Sequence, residues 1–252
     1  MYTLYVIPGS HACRAAILML DHKRVPYRRV DVITMTHPFV ARLHGFDAGG
    51  ERRVAGGRRP RLLRGGDRYG TVPGLAAGDR RISTSRQIAR FLDEHHPEPP
   101  LFPADPERRR GVEEAEEWAN GPLQMTARRA TLARAVRDPA GAARSAEDGR
   151  MGYLLYRRAL LRRLIIPFIG RAVFAVDPAG PDPLDELPPM LDRIDALIAE
   201  GVLGGEQPNA ADFMVAPCLA LVLYRPDALP LFEGRPALDL VDRLLPEPSL
   251  AS

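Results

Sequence analysis

The chain has 252 residues, of which 45% are hydrophobic, and a formal net charge of +3. That much apolar material fills the core of one large domain or two small ones. The longest apolar run, 160–174, is interrupted by Arg162, Arg163 and Arg171, so no stretch reaches membrane-spanning length and no membrane partner is expected.

The N-terminus shows no secretory pattern: Arg14 and Asp21 flank a short apolar stretch, and no small-residue cleavage site follows. Two cysteines, Cys13 and Cys218, cannot build a disulfide framework, which makes a reducing cytoplasm the expected location. Arginines cluster at 52, 53, 58, 59, 61, 64 and 68, with no aromatic residue among them before Tyr69. The run reads as a solvated loop, and no nucleic-acid partner is expected.

In chain order, residues 2–7 are aromatic and β-branched and read as a strand ended by Pro8-Gly9. Residues 12–20 read as a helix with Ala15, Ala16, Leu18, Met19 and Leu20 inward. A second strand over 25–32 completes a βαβ unit with a parallel pair. A short helix over 38–43 precedes 44–70, which is rich in Gly and Arg; loops of such length are functional or disordered.

Residues 74–76 and 80–82 read as short strands joined by Ala77-Gly78-Asp79, a hairpin signal. Thr84 then opens a helix. Thr84 and Gln87 have capping-box spacing, and Ile88, Phe91 and Leu92 form the buried stripe. Prolines at 97, 99, 100, 103 and 106 mark an extended linker. Beyond it the signals are helical: 113–132, 151–174 with a break at Pro167, 187–198, and 209–223 with Asn209 as N-cap and Asp212 three residues on. The tail after Leu245 reads as frayed.

Three features carry chemistry. Val72 precedes Pro73 and is pushed into extended geometry; with a cis bond its N–H and C=O point outward, free to pair with an extended ligand. Ser85 falls in the first turn of a helix, where free N–H groups favour an anion. Pro8-Gly9-Ser10-His11-Ala12-Cys13 joins the first strand to the first helix, where a ligand thiol would be held as thiolate and Ser10 could donate its O–H. Cys13 reads either as a small buried helix residue or as a low-pKa thiol. His11 reads as a solvent-facing loop residue.

The order Thr71-Val72-Pro73-Gly74-Leu75, the hairpin, Ile82-Ser83-Thr84-Ser85-Arg86-Gln87-Ile88-Ala89-Arg90-Phe91-Leu92-Asp93, then Pro100-Leu101-Phe102-Pro103, resembles the amino-terminal domain of glutathione transferases. Gly204-Gly205-Glu206-Gln207-Pro208-Asn209-Ala210-Ala211-Asp212-Phe213 resembles the cap and buried aspartate of that family's helical domain.

The resemblance implies an α/β plus all-α fold: a thioredoxin-like glutathione-binding domain over 1–97, a linker over 98–106, and an all-helical domain over 107–252. It implies that Val72, with Pro73, pairs with the cysteinyl unit of glutathione. It implies that Ser85 holds the γ-glutamyl carboxylate. Thr84 stands where the family has Glu or Gln facing the γ-glutamyl amine. Ser10 takes the thiol-activating position, with Cys13 and Tyr5 as runners-up. The second substrate, a small electrophile, would lie near His11, Trp118, Met125, Arg128 and Arg129. Glutathione is then a co-substrate, no metal is expected, and family members are often homodimers. Two other readings stay open: a non-catalytic binding protein on the same fold, and a thiol–disulfide enzyme using Cys13.

Overall fold

The first strand, β1 (Tyr2–Val6), is covered on both faces, which is why Leu4, Tyr5 and Val6 are all buried and the strand does not alternate. The computed structural model describes residues 1–33, 36–46, 72–138 and 179–245, with 168, 170, 171, 176 and 177. The arginine run, Thr71, most of the expected 44–70 segment and of the 151–174 helix with Pro167, and the tail after Leu245 lie outside the described residues.

Helix α1 (His11–His22) follows, then β2 (Tyr27–Asp31) and α2 (His37–Leu43). The hairpin of β3 (Gly74–Ala77) and β4 (Arg80–Ser83) leads into α3 (Ser85–His95). The sheet order is β2-β1-β3-β4, with β1 and β2 parallel and the other pairs antiparallel. The crossover through α1 makes the parallel pair, as the βαβ pattern requires. Gly78 turns the hairpin at φ 61°. Gly74 serves close approach instead: a Cβ there would stand 3.0 Å from the Phe46 ring.

The second domain begins with α4 (Pro106–Trp118), capped by the Asp105 carboxylate, which accepts from Arg108 N. A π-helical turn, Ala119–Leu123, joins it to α5 (Gln124–Arg137). The single helix expected over 113–132 is thus three segments. Pro122 lies in the π turn; proline lacks an N–H and crowds the preceding turn of an α-helix, and a wider turn accommodates it. Helices α6 (Pro188–Ala199), α7 (Ala210–Val222) and α8 (Pro236–Leu244) complete the described bundle.

Helix α7 is apolar around nearly its whole circumference and forms the centre of that bundle. It opens with the expected N-cap. The Asn209 side chain accepts from Ala211 N and Asp212 N, and the Asp212 carboxylate accepts from Asn209 N at 2.9 Å and from Gly204 N at 2.8 Å.

Helix α1 packs on α3 and also on α7, with the His22 and Phe213 rings 5.2 Å apart. The linker is tied to both sides. Buried Lys23 donates to Asp93 at 3.1 Å and to the His96 carbonyl at 2.6 Å, Leu101 N donates to Asp93, and Ala210 N donates to Leu101 O at 2.9 Å. The first domain therefore reaches the bundle with α1's N-terminal end set beside α5.

Candidate functional site

The Val72–Pro73 bond is cis. Val72 stands just ahead of β3, and its N–H and C=O find no hydrogen-bond partner among the described residues. The Pro73 carbonyl accepts from Thr84 N at 3.1 Å, which ties this strand edge to the start of α3. Thr84 is the N-cap: its Oγ1 accepts from Gln87 N at 3.4 Å. It sits at φ 68°, a region β-branched residues rarely adopt, held there by these two bonds. Ser85 is the first helical residue, is buried, and its hydroxyl makes no hydrogen bond among the described residues.

The β1–α1 junction is a tight turn. Ser10 N donates to Ile7 O at 3.1 Å, with Pro8 and Gly9 between them and Gly9 at φ 80°. Ser10 is the N-cap of α1, but its hydroxyl makes no capping bond; it turns to the Cys13 sulfur, which also accepts from Ile7 N at 3.3 Å. Burial pushes the Cys13 thiol up to about 11, although those hydrogen bonds and the charges of Arg128 and Arg29 pull it down. Cys13 is thus the buried helix residue of its two readings, and the low-pKa thiol is set aside.

His11 corrects the sequence reading. It is not in a solvent-facing loop but is the first residue of α1, buried against α5. Burial first, and the Arg128 charge second, lower its imidazole to about 3. Its partner is Gln124, which the sequence reading missed. The Gln124 amide takes its orientation from its neighbours: Nε2 donates to His11 Nε2 at 3.1 Å, and Oε1 accepts from Arg128 Nη1 and Nη2 at 3.0 and 3.2 Å. Four-residue spacing puts Gln124 and Arg128 on one helix face, which is legible in the sequence; their contact with His11 is not.

Tyr5 is already partnered. Its hydroxyl hydrogen-bonds to His44 Nδ1 at 3.1 Å, and its ring lies 4.5 Å from His44 and 5.3 Å from Phe46. Among the remaining pocket candidates, Met125 is 43% exposed. Trp118 lies under the Arg193 guanidinium of α6, 4.5 Å away. Arg129 pairs with Glu186 at 3.6 Å, to which Thr126 also donates. The structure therefore brings His11, the residue after Ser10, together with Gln124 and Arg128, while Trp118 meets Arg193 and Arg129 meets Glu186 within the helical domain. Among the described residues no group of three or more His, Cys, Asp or Glu gathers to hold a metal, and no helix is long and apolar enough to cross a membrane.

A mixed four-stranded sheet with a βαβ start, followed by a helical second domain, defines a thioredoxin-like fold carrying an all-helical partner domain. Residues 4–100 match the model of the glutathione S-transferase N-terminal domain, and 183–240 match that of the glutathione S-transferase C-terminal domain. Together the matches cover more than half of the chain, which belongs to the glutathione S-transferase family.

Solved structures share the fold. A glutathione transferase from Phanerochaete chrysosporium is 16% identical with a TM-score of 0.66, over 96% of this chain and 95% of that one. A glutathione S-transferase from Methylobacterium radiotolerans, in complex with glutathione sulfonate, is 20% identical with a TM-score of 0.54, over 99% and 92%. One from Ceriporiopsis subvermispora, in complex with glutathione, is 20% identical with a TM-score of 0.55, over 97% of each chain. Sequence comparison with curated proteins gives no match.

Proposed function

We propose that this chain is a glutathione transferase that binds glutathione along Val72 and Ser85 and activates its thiol beside Ser10. The observation that carries this is the Thr84 N to Pro73 O bond, which fastens the Val72 edge, without a backbone partner among the described residues, to the α3 start, so that one extended ligand can meet both. Val72 supplies backbone pairing to the cysteinyl unit. Ser85 and the helix N-terminus supply a carboxylate seat. The complexes of the Methylobacterium and Ceriporiopsis proteins support the choice of ligand.

At Ser10 the thiol gives its proton to solvent, and the sulfur lone pair forms a bond to the electrophilic carbon. The leaving group departs with its bonding pair. The O–H of Ser10 leaves the Cys13 sulfur, donates to the thiolate and lowers its pKa, together with the N-terminus of α1.

A second reading, a binding protein without turnover, is favoured by Thr84, whose hydroxyl caps Gln87 and offers no carboxylate to the ligand amine. Thermal unfolding with reduced glutathione separates the possibilities. Bound ligand raises the melting temperature once its concentration exceeds Kd; no rise at millimolar glutathione sinks the transferase reading. Given binding, Ser10→Ala is expected to cut turnover with a model electrophile at least tenfold while leaving Kd within a few-fold. Binding with no turnover in the parent protein favours the second reading.

A further inference from the structure

We propose that Arg128 is the residue through which the helical domain stabilises the ionised thiol at Ser10, a role that rests on the transferase reading above. The inference starts from donor polarity. A guanidinium offers only N–H donors, so the Gln124 oxygen must face Arg128. The other end of the amide is then a donor, and it meets His11 Nε2 at 3.1 Å. That leaves the His11 proton on Nδ1 and the ring neutral. The chain runs one way: cation, amide oxygen, amide N–H, imidazole.

Its far end is the loop that carries Ser10. Ser10 caps α1 and His11 is the first residue of that helix, so Gln124 anchors the Arg128 charge to the thiol-activating loop from across the domain junction. A fixed cation favours the ionised form of a nearby acid and disfavours a second cation. Both effects are seen near Ser10, where Arg128 lowers His11 and pulls down the Cys13 thiol, and it pulls on the Cys218 thiol of α7 as well. Arg14 acts on His11 in the same direction, and Arg29 on Cys13. Of these charges, Arg128 is the one that comes from the second domain. A ligand thiol held by Ser10, the residue before His11, would then be exposed to the same charge. Arg128 is thus a positioning residue for charge, and Gln124 holds it there.

The test is a pH titration of the intact protein saturated with reduced glutathione, reading the bound thiolate by its ultraviolet difference absorbance. In the parent protein the apparent pKa of the bound thiol lies below that of free glutathione. Arg128→Gln is expected to raise it by about one pH unit, and Arg128→Lys by less. Gln124→Leu, which cuts the chain but keeps the cation, shifts it upward too. Glutathione Kd changes little, because the ligand is held at Val72 and Ser85. An unchanged titration in folded Arg128→Gln overturns the proposal, and so does an unchanged titration in Gln124→Leu if Arg128→Gln does not fold. If the parent protein binds no glutathione, the transferase reading falls and takes this one with it. If it binds and ionises the thiol while the variants match it, only the role of Arg128 falls.

Discussion

Arg90 grips Glu116 with two parallel bonds across the domain junction, Nη1 to Oε1 at 2.9 Å and Nη2 to Oε2 at 2.7 Å. Glu116 is fully buried, and Arg86 adds a third bond at 3.2 Å. The Arg90 guanidinium also lies over the Phe102 ring, 4.8 Å from its centroid, as does that of Arg109 at 5.0 Å. The pair fixes α3, which begins at Ser85, against α4.

Removing Glu116 leaves two guanidinium groups without their carboxylate. Breaking a fully buried pair costs about 3–5 kcal/mol. Both arginines keep partial access to water, so Glu116→Ala is expected to cost less, about 2 kcal/mol, in urea unfolding. A loss no larger than that of an exposed pair, below about 1 kcal/mol, would show that water replaces the carboxylate.

Ser85 separates binding from stability. Its hydroxyl makes no hydrogen bond among the described residues, so Ser85→Ala should leave the melting temperature close to that of the parent. A hydrogen bond to a charged carboxylate contributes about 1.5–3 kcal/mol, so glutathione affinity should fall about tenfold to a hundredfold. Calorimetric titration checks the second point; an unchanged Kd removes Ser85 from the ligand seat.

His11 makes stability depend on pH. Its folded pKa, about 3, lies below the ordinary value of 6.5. Between those values the unfolded chain binds the proton and the folded chain does not, so stability falls as pH drops from 6.5 toward 3. The slope from this one group is at most about 1.4 kcal/mol per pH unit. His22 and His37, also lowered by burial, act in the same direction. The comparison is therefore between the parent and His11→Gln, whose acid limb in urea unfolding should be shallower; parallel limbs would contradict a neutral buried His11.

Cys13 should be inert. With its thiol at about 11, the thiolate fraction near neutrality is on the order of a hundredfold below that of an ordinary cysteine. Iodoacetamide labelling of the native protein, followed by mass spectrometry, should be slower by that order. Rapid labelling would return Cys13 to the list of thiol activators.

Local signals made most of the fold legible. Pro8-Gly9, Gly78 and Asn209 act where turn and cap chemistry expects them, and the βαβ unit, the hairpin and the helices expected over 187–198 and 209–223 lie within a few residues of their periodic patterns. The π turn was hidden because an apolar pattern counts residues, not turns, and Pro122 was its only mark. His11 was misread because its environment is supplied by Gln124 and Arg128, more than a hundred residues away.

By itself the sequence determined the sheet and the helical second domain, and marked Val72, Ser10 and Ser85 as site candidates, because turn chemistry, capping and proline geometry act over a few residues. Tertiary structure decided the chemistry of those positions. It buried Cys13 and raised its thiol, made His11 a neutral partner of Gln124, set Trp118 under Arg193 and Arg129 beside Glu186, and brought Arg128 to Gln124. Burial and the field of a distant charge depend on which elements meet, and no local pattern encodes that meeting.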